Sequence, residues 1–289
     1  MPSNGSTYVI DVDANDGWVS LNFVMAATFM SITFSVDEHD MWLYEADGQF
    51  IMPQKIQAIT MYPAERYAVL IKLDQKPKDY TVRVASKLSQ IMSGFATFRY
   101  RNRNRSDTSA TIPWIDYGGF NATPEAIILD GGYTHLPPFP PNPPAQVADA
   151  MHVMSLGRWT APWKWTISGK GILPPDNNAY DPLLYDPYGL PANDPDLVIS
   201  TKNGTWVDLV LRVGALPGEP AEISHAIHKH GSKAWFIGQG YGIWNYSSVA
   251  EGIAAEPESF NLVDPNYRDM CITTFSGAAW YICSLHCLI

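Results

Sequence analysis

The chain has 289 residues, 46% of them hydrophobic, which is enough for two ordinary domains with packed cores. Its net charge of −10, with no basic run beyond the alternating Arg99, Arg101, Arg103 and Arg105, argues against a nucleic-acid partner. No apolar run reaches the ~20 residues that cross a bilayer, so no membrane span is expected. The opening Met1-Pro2-Ser3-Asn4-Gly5-Ser6 lacks the charged start and apolar centre of a secretory leader.

Residues 1–105 read as repeated short strands. Gly17 to Val24 alternates apolar and polar residues with period two, as does Phe29 to Val36. Met41 to Tyr44 leads into Ala46-Asp47-Gly48-Gln49, where Asp-Gly supplies hairpin-turn chemistry. Further strands are predicted over Ile56 to Tyr62, Arg66 to Leu73, Tyr80 to Ala85 and Gly94 to Tyr100. Short strands at this spacing, with turn signals between them, predict an all-β sandwich or barrel. His39, between Glu38 and Asp40, stands alone at a strand end and reads as a hydrogen-bonded structural histidine. Glu65-Arg66 reads as an ion pair at a strand start, and the arginine series as a solvated strand end and connection.

Over 106–150 the composition turns to Ser, Thr, Gly and then Pro. Leu136-Pro137-Pro138-Phe139-Pro140-Pro141-Asn142-Pro143-Pro144 is held extended by its prolines. It predicts a semi-rigid surface linker between a domain over 1–105 and a second over 151–289. In the second, Asp149 to Ser155 and Lys164 to Gly169 read as strands, 173–196 as a long ordered loop or lid, and 205–213 as a strand.

Next comes His225-Ala226-Ile227-His228-Lys229-His230, three of the seven histidines within six residues. On a strand, His228 and His230 project from one face and His225, at an odd offset, from the other. One strand can therefore serve two metal sites, and neutral imidazole suits copper, zinc and iron alike. No Glu follows the His-x-His pair at short range and no HExxH motif is present, so spacing alone leaves the metal open. Gly238-Gln239-Gly240-Tyr241-Gly242 lacks a phosphate-loop context and reads as tight turns beside the metal strand. A last strand is expected after Met270. Cys271, Cys283 and Cys287 all fall in the last nineteen residues, unlike a disulfide framework, and both a Cys283–Cys287 bridge and free thiols fit that pattern. N-x-[ST] sequons at Asn4, Asn104, Asn121, Asn203 and Asn245 suggest a secreted or cell-surface parent protein.

His225-x-x-His228-x-His230-Gly231 resembles the first copper motif in the third domain of the multicopper oxidases, the family of laccases, ascorbate oxidases and ferroxidases, with Ala226 where the family has Pro. Asn261-Leu262-Val263-Asp264-Pro265-Asn266-Tyr267-Arg268-Asp269 resembles the family's NxxNPxxRD segment. Phe34 to Met41, Asp47-Gly48 and Pro63-Ala64-Glu65-Arg66-Tyr67 resemble its second domain, a scaffold without copper ligands. The resemblance implies cupredoxin-like Greek-key β-sandwiches and copper as cofactor. It also implies one-electron oxidation of phenolic or related small molecules coupled to dioxygen reduction, in fungal members often for pigment or secondary-metabolite pathways. It places His225 on the mononuclear copper, and His228 and His230 on the trinuclear cluster.

Two departures qualify this. No other His-x-His pair exists, and Ser284-Leu285-His286-Cys287-Leu288-Ile289 keeps only the His-Cys of the family's closing HCHxxxH motif. The expectation is a second sandwich that is C-terminally incomplete, with 281–289 an aberrant terminus and Cys287 a marginal copper ligand. Such a chain is either a laccase-like oxidase inactive on its own or a non-catalytic remnant binding at most one copper. Its unpaired strand edges would favour association with another chain.

Overall fold

A computed structural model describes residues 7–27, 30–86, 92–101, 109–132, 134–158, 165–168, 199–213, 225–273 and 279–287. In chain order its strands are β1 (Val9–Val12), β2 (Trp18–Val24), β3 (Ile32–Val36), β4 (Met41–Ala46), β5 (Gln49–Ile56), β6 (Ala58–Met61), β7 (Arg66–Lys72), β8 (Asp79–Ala85), β9 (Ser93–Tyr100) and β10 (Ile128–Asp130). There follow β11 (Ala150–Arg158), β12 (Trp165–Ile167), β13 (Thr205–Val213), β14 (Ala226–His228), β15 (Ala234–Tyr241), helix α1 (Val249–Ala255), β16 (Asn266–Arg268), β17 (Met270–Ile272) and β18 (Ala279–Cys287). Two compact units emerge, one of Met1–Pro141 with Arg268–Ile272 and one of Asn142–Tyr267 with Thr273–Ile289. The fold is all-β, as the period-two patterning predicts.

The first unit pairs a sheet of order β1-β9-β8-β3-β6-β10 with one of order β2-β7-β4-β5. Alternate residues point inward from each strand, so Met41, Leu43, Val69 and Ile71 join Phe34, Val36, Val82 and Phe98 in one core. The β4–β5 hairpin closes through Asp47 and Gly48, both at positive φ (51° and 75°). That is the backbone a two-residue primed turn requires, and Asn, Asp and Gly reach it at least cost. The strand expected over Ile56 to Tyr62 is interrupted at Gln57, whose N–H donates to Ile127 O at 3.0 Å while its Oε1 accepts from Ile127 N–H at 2.7 Å.

Those bonds belong to the stretch expected to be a linker over 106–150. Its described residues up to Pro141 are part of the first unit instead. Along the prolines, Met52 N–H donates to Pro137 O at 3.0 Å and Phe139 N–H donates to Phe50 O at 2.8 Å, so the segment covers the open edge of β5. Proline lacks a donor but keeps its carbonyl, and Phe139 between prolines supplies the one N–H needed.

Arg268 lies buried in the first unit. Its Nε donates to Asp47 Oδ2 at 2.6 Å, Nη1 to Gly131 O at 2.8 Å, and Nη2 to Glu65 Oε1 at 3.1 Å and Tyr67 Oη at 2.9 Å. Arg66 forks onto Asp269 with two 2.7 Å bonds and lies 3.1 Å from Asp47. Glu65 and Arg66 are therefore not partners of each other, contrary to the sequence expectation. Asp47, Glu65 and Asp269 make three carboxylates against the two guanidiniums of Arg66 and Arg268. Burial pushes the Glu65 carboxyl up to about 7, with Arg268 pulling the other way.

The second unit is a sheet of order β12-β11-β13-β18-β15-β16. Its centre is β18, antiparallel to β13 from Thr205↔Cys287 to Val213↔Ala279 and to β15 on its other side. Residues 281–287, expected as an aberrant terminus, are thus a central strand, because Tyr281 to Leu285 are apolar enough to be buried on both faces. One face packs Val210, Trp235, Ile237, Trp280 and Ile282 against Trp244 and Val249, and the other joins Ala234, Cys283 and Leu285. Gly238 and Gly240 lie within β15, not in tight turns. A Cβ on Gly238 would come 2.8 Å from the Phe260 ring and one on Gly240 would strike the Trp280 ring, so these glycines admit aromatic side chains against bare backbone.

Arg268→Ala leaves Asp47 and Glu65 buried without their cation, and is expected to cost about 3–5 kcal/mol in a denaturant titration; a loss below 1 kcal/mol would refute the assignment. For Glu65 the folded carboxyl holds its proton more tightly than the unfolded one. The stability this contributes is present below the ordinary glutamate range and is lost as pH rises from about 4.5 to about 7. Glu65→Gln should therefore gain stability relative to the parent across that window, read from unfolding midpoints at each pH; parallel pH profiles would contradict it.

Candidate metal centre

The histidine segment is fixed at its start. His225 N–H donates to Thr273 Oγ1 at 2.8 Å, and Thr273 N–H donates back to His225 O at 3.0 Å. This two-point clamp sets the direction in which β14 leaves, with His225 half-buried and His228 and His230 exposed. Lys229 Nζ donates to His230 O at 3.1 Å and to Ser232 Oγ at 2.7 Å, which holds the turn after β14. The His228 and His230 rings lie 4.7 Å apart between centroids, edge to face at 67°.

Two imidazoles at this separation can contribute nitrogen donors to one copper ion or to two adjacent ones. Among the described residues, no group of three or more His, Cys, Asp or Glu converges to hold a metal ion. The donor set thus fits part of a copper site and does not complete one.

His39 takes no part. Its Nδ1 faces Asp37 O at 2.8 Å and so must donate, leaving Nε2 to accept from the Tyr100 hydroxyl at 3.0 Å. The rings of Tyr80 and Phe98 enclose it at 4.5 and 5.1 Å, and burial lowers its pKa, keeping the imidazole neutral.

At the end of β18, His286 stacks on Trp206 at 4.8 Å and 8°, and Cys287 O accepts from Gly204 N–H at 2.6 Å. None of the three cysteines forms a disulfide. Cys283 and Cys287 stand four residues apart on one extended strand, roughly 13 Å, which exceeds the reach of a disulfide. The loop expected over 173–196 lies outside the described residues.

One group escaped the sequence reading. Asp208 is buried in the middle of β13 opposite Ser284, and burial pushes its carboxyl up to about 6 while the Ser284 hydroxyl opposes the shift. A lone carboxylate inside Trp206-Val207-Asp208-Leu209-Val210 was its only signal. The Asn261 motif is structural: Asn261 Oδ1 accepts from Val263 and Asp264 N–H at 3.0 and 3.1 Å, shaping the turn before β16.

The two units are all-β, and their sheets are those of a cupredoxin-like fold. Solved structures agree on that fold. The laccase of Botrytis aclada superposes with a TM-score of 0.69 at 17% identity, over 98% of this chain and 49% of that one. Fet3p, a multicopper oxidase that functions in iron import, gives 0.68 at 17% identity over 98% and 53%. Residues 2–105 and 145–281 each match the multicopper oxidase family, and the chain belongs to it. Copper is the cofactor of that family.

Among relatives, multicopper oxidase GIP1 of Gibberella zeae is 55% identical over 282 residues, 97% of this chain and 41% of the relative. Laccase ustL of Ustilaginoidea virens is 44% identical over 293 residues, 98% and 45%. Laccase 1 of Metarhizium robertsii is 44% identical over 286 residues, 96% and 46%. The chain spans less than half the length of these relatives.

Proposed function

We propose that the chain is the copper-ligating part of a laccase-like oxidase that removes single electrons from phenolic or related small molecules and passes them to dioxygen. His228 and His230 serve the trinuclear copper site and His225 the mononuclear one. The observation that carries this reading is the exposed imidazole pair, 4.7 Å between centroids, in a protein whose family uses copper. The Thr273 clamp on His225 supports a separate role for that residue, since it fixes the backbone from which the odd-offset side chain departs.

Bound copper would supply the one-electron chemistry; the residues of this chain would hold and orient it. Because the described residues bring only two imidazoles together, the further ligands come from outside them, and the sequence as given does not reduce dioxygen to water alone. Completion by another polypeptide through open strand edges fits this reading. The physiological role we propose is pigment or other secondary-metabolite formation by a secreted glycoprotein.

A second reading, a non-catalytic sandwich binding at most one copper, is favoured by the absence of a three-ligand cluster among the described residues. Elemental analysis after copper loading and dialysis tests both. His228→Ala and His230→Ala should each abolish bound copper, whereas His39→Ala should retain it and lower stability by about 2–4 kcal/mol through cavity and lost hydrogen bonds. Equal copper in all three variants would overturn the site. A full copper complement, an intense blue band and dioxygen uptake would overturn the inactivity of the isolated sequence.

A further inference from the structure

Two lines of touching aromatic rings run through the second unit. In one, the buried Trp280 of β18 lies 5.0 Å from the buried Trp244, and Trp244 lies 4.9 Å from the half-buried Tyr246 in the loop before α1, measured between ring centroids. A Cβ on Gly252 of α1 would come 2.6 Å from the Trp244 ring, so this ring is wedged against bare helix backbone. In the other line, Tyr267 lies 4.4 Å from Trp235, and Trp235 lies 4.9 Å from Trp206. Such contacts pack a core. Rings in contact also exchange electrons readily, because electron tunnelling weakens steeply with each added ångström of separation.

The fate of the protons distinguishes the two lines. The indole Nε1 of Trp244 is buried and has no hydrogen-bond acceptor among the described residues. An indole that has lost one electron is acidic at that N–H, yet no acceptor stands ready here to take the proton. The ring therefore stays a radical cation and keeps its full oxidising strength. One ring further out the reverse holds: Tyr246 Oη donates to Glu256 Oε1 at 2.5 Å. A phenol loses its proton on oxidation, and a carboxylate in contact receives it before positive charge builds on the ring. Among the described residues the Tyr267 hydroxyl has no carboxylate bonded to it, and burial alone raises its pKa.

We propose that Trp280, Trp244, Tyr246 and Glu256 form a relay that carries oxidising equivalents from the core of the second unit to its surface. An oxygen-derived radical or another one-electron oxidant takes an electron from an indole and is itself reduced. The vacancy passes from Trp280 to Trp244. An electron from Tyr246 then refills Trp244, the phenolic O–H bond breaks, and its proton goes to Glu256. The neutral phenoxyl radical takes an electron from a dissolved phenol or ascorbate, and Glu256 returns the proton to the Tyr246 oxygen. The buried indoles are thereby spared irreversible oxidation. This relay needs no bound metal, so its failure would leave the copper reading standing, and failure of the copper reading would leave the relay.

A laser flash into the indole absorption band of the full chain, free of copper and with a cobalt(III) ammine complex in solution as an irreversible electron acceptor, creates the indole radical cations. Time-resolved absorbance should then show the indole radical decaying as a phenoxyl radical grows, at a first-order rate independent of protein concentration. Tyr246→Phe keeps the ring and its packing and should abolish this phase. Glu256→Gln, which keeps an acceptor oxygen but removes the base, should slow it severalfold, and Tyr267→Phe should leave it unchanged. A phase that survives Tyr246→Phe, is lost instead in Tyr267→Phe, ignores Glu256→Gln or speeds up with protein concentration overturns the relay.

Discussion

The guanidinium of Arg268 is the interaction on which the first unit turns. It joins Asp47, 221 positions earlier in the chain, to Glu65, Tyr67 and the carbonyl of Gly131. A buried cation is tolerated only when paired and hydrogen-bonded, and here each nitrogen of the guanidinium has an acceptor. The same residue explains why Asp47 is Asp: its backbone makes the hairpin turn at positive φ, while its carboxylate takes Arg268 on one oxygen and the N–H and guanidinium of Arg66 on the other. With three carboxylates against two guanidiniums the cluster is one cation short. Glu65, buried beside Arg268, answers by keeping its proton to about neutrality.

In the second unit the corresponding constraint is steric. Bare backbone at Gly238 and Gly240 lets Phe260 and Trp280 lie against β15, and the Trp280 ring sits 5.0 Å from that of Trp244. This aromatic packing fixes β15 beside β18. The short turn from His228 to Ala234 ends on β15, so the imidazole pair hangs from a rigid strand at one end and from the Thr273 clamp on His225 at the other. Exposed rings held in this way can meet a metal ion without first ordering the chain.

Much of this was legible in the sequence. Period-two alternation located β2, β7, β8, β9 and β13 to within a residue or two, and Asp-Gly announced the β4–β5 hairpin. Patterning failed where the alternation carries no contrast. β5 reads Gln-Phe-Ile-Met-Pro-Gln-Lys-Ile, with apolar side chains on both faces, and β18 is so uniformly apolar that it looked like a spoiled motif instead of a buried strand. Glycines in β15 were mistaken for turns because glycine signals close approach and chain reversal equally. The partners of Glu65 and Arg66 could not be read at all, since an ion pair spanning 203 residues leaves no local trace. For the histidines the spacing placed His228 and His230 on one strand face; only His228 lies on β14 and His230 follows in the turn, yet the two rings lie 4.7 Å apart between centroids.

The most direct test of the proposed copper site is X-ray absorption at the copper edge on the copper-loaded chain, compared with the His228→Ala variant. The account predicts imidazole scattering from His228 and His230 with no sulfur in the first coordination shell, and its loss in the variant. Sulfur scattering, unchanged by that substitution, would contradict it and move the metal to one of the cysteines, none of which is in a disulfide.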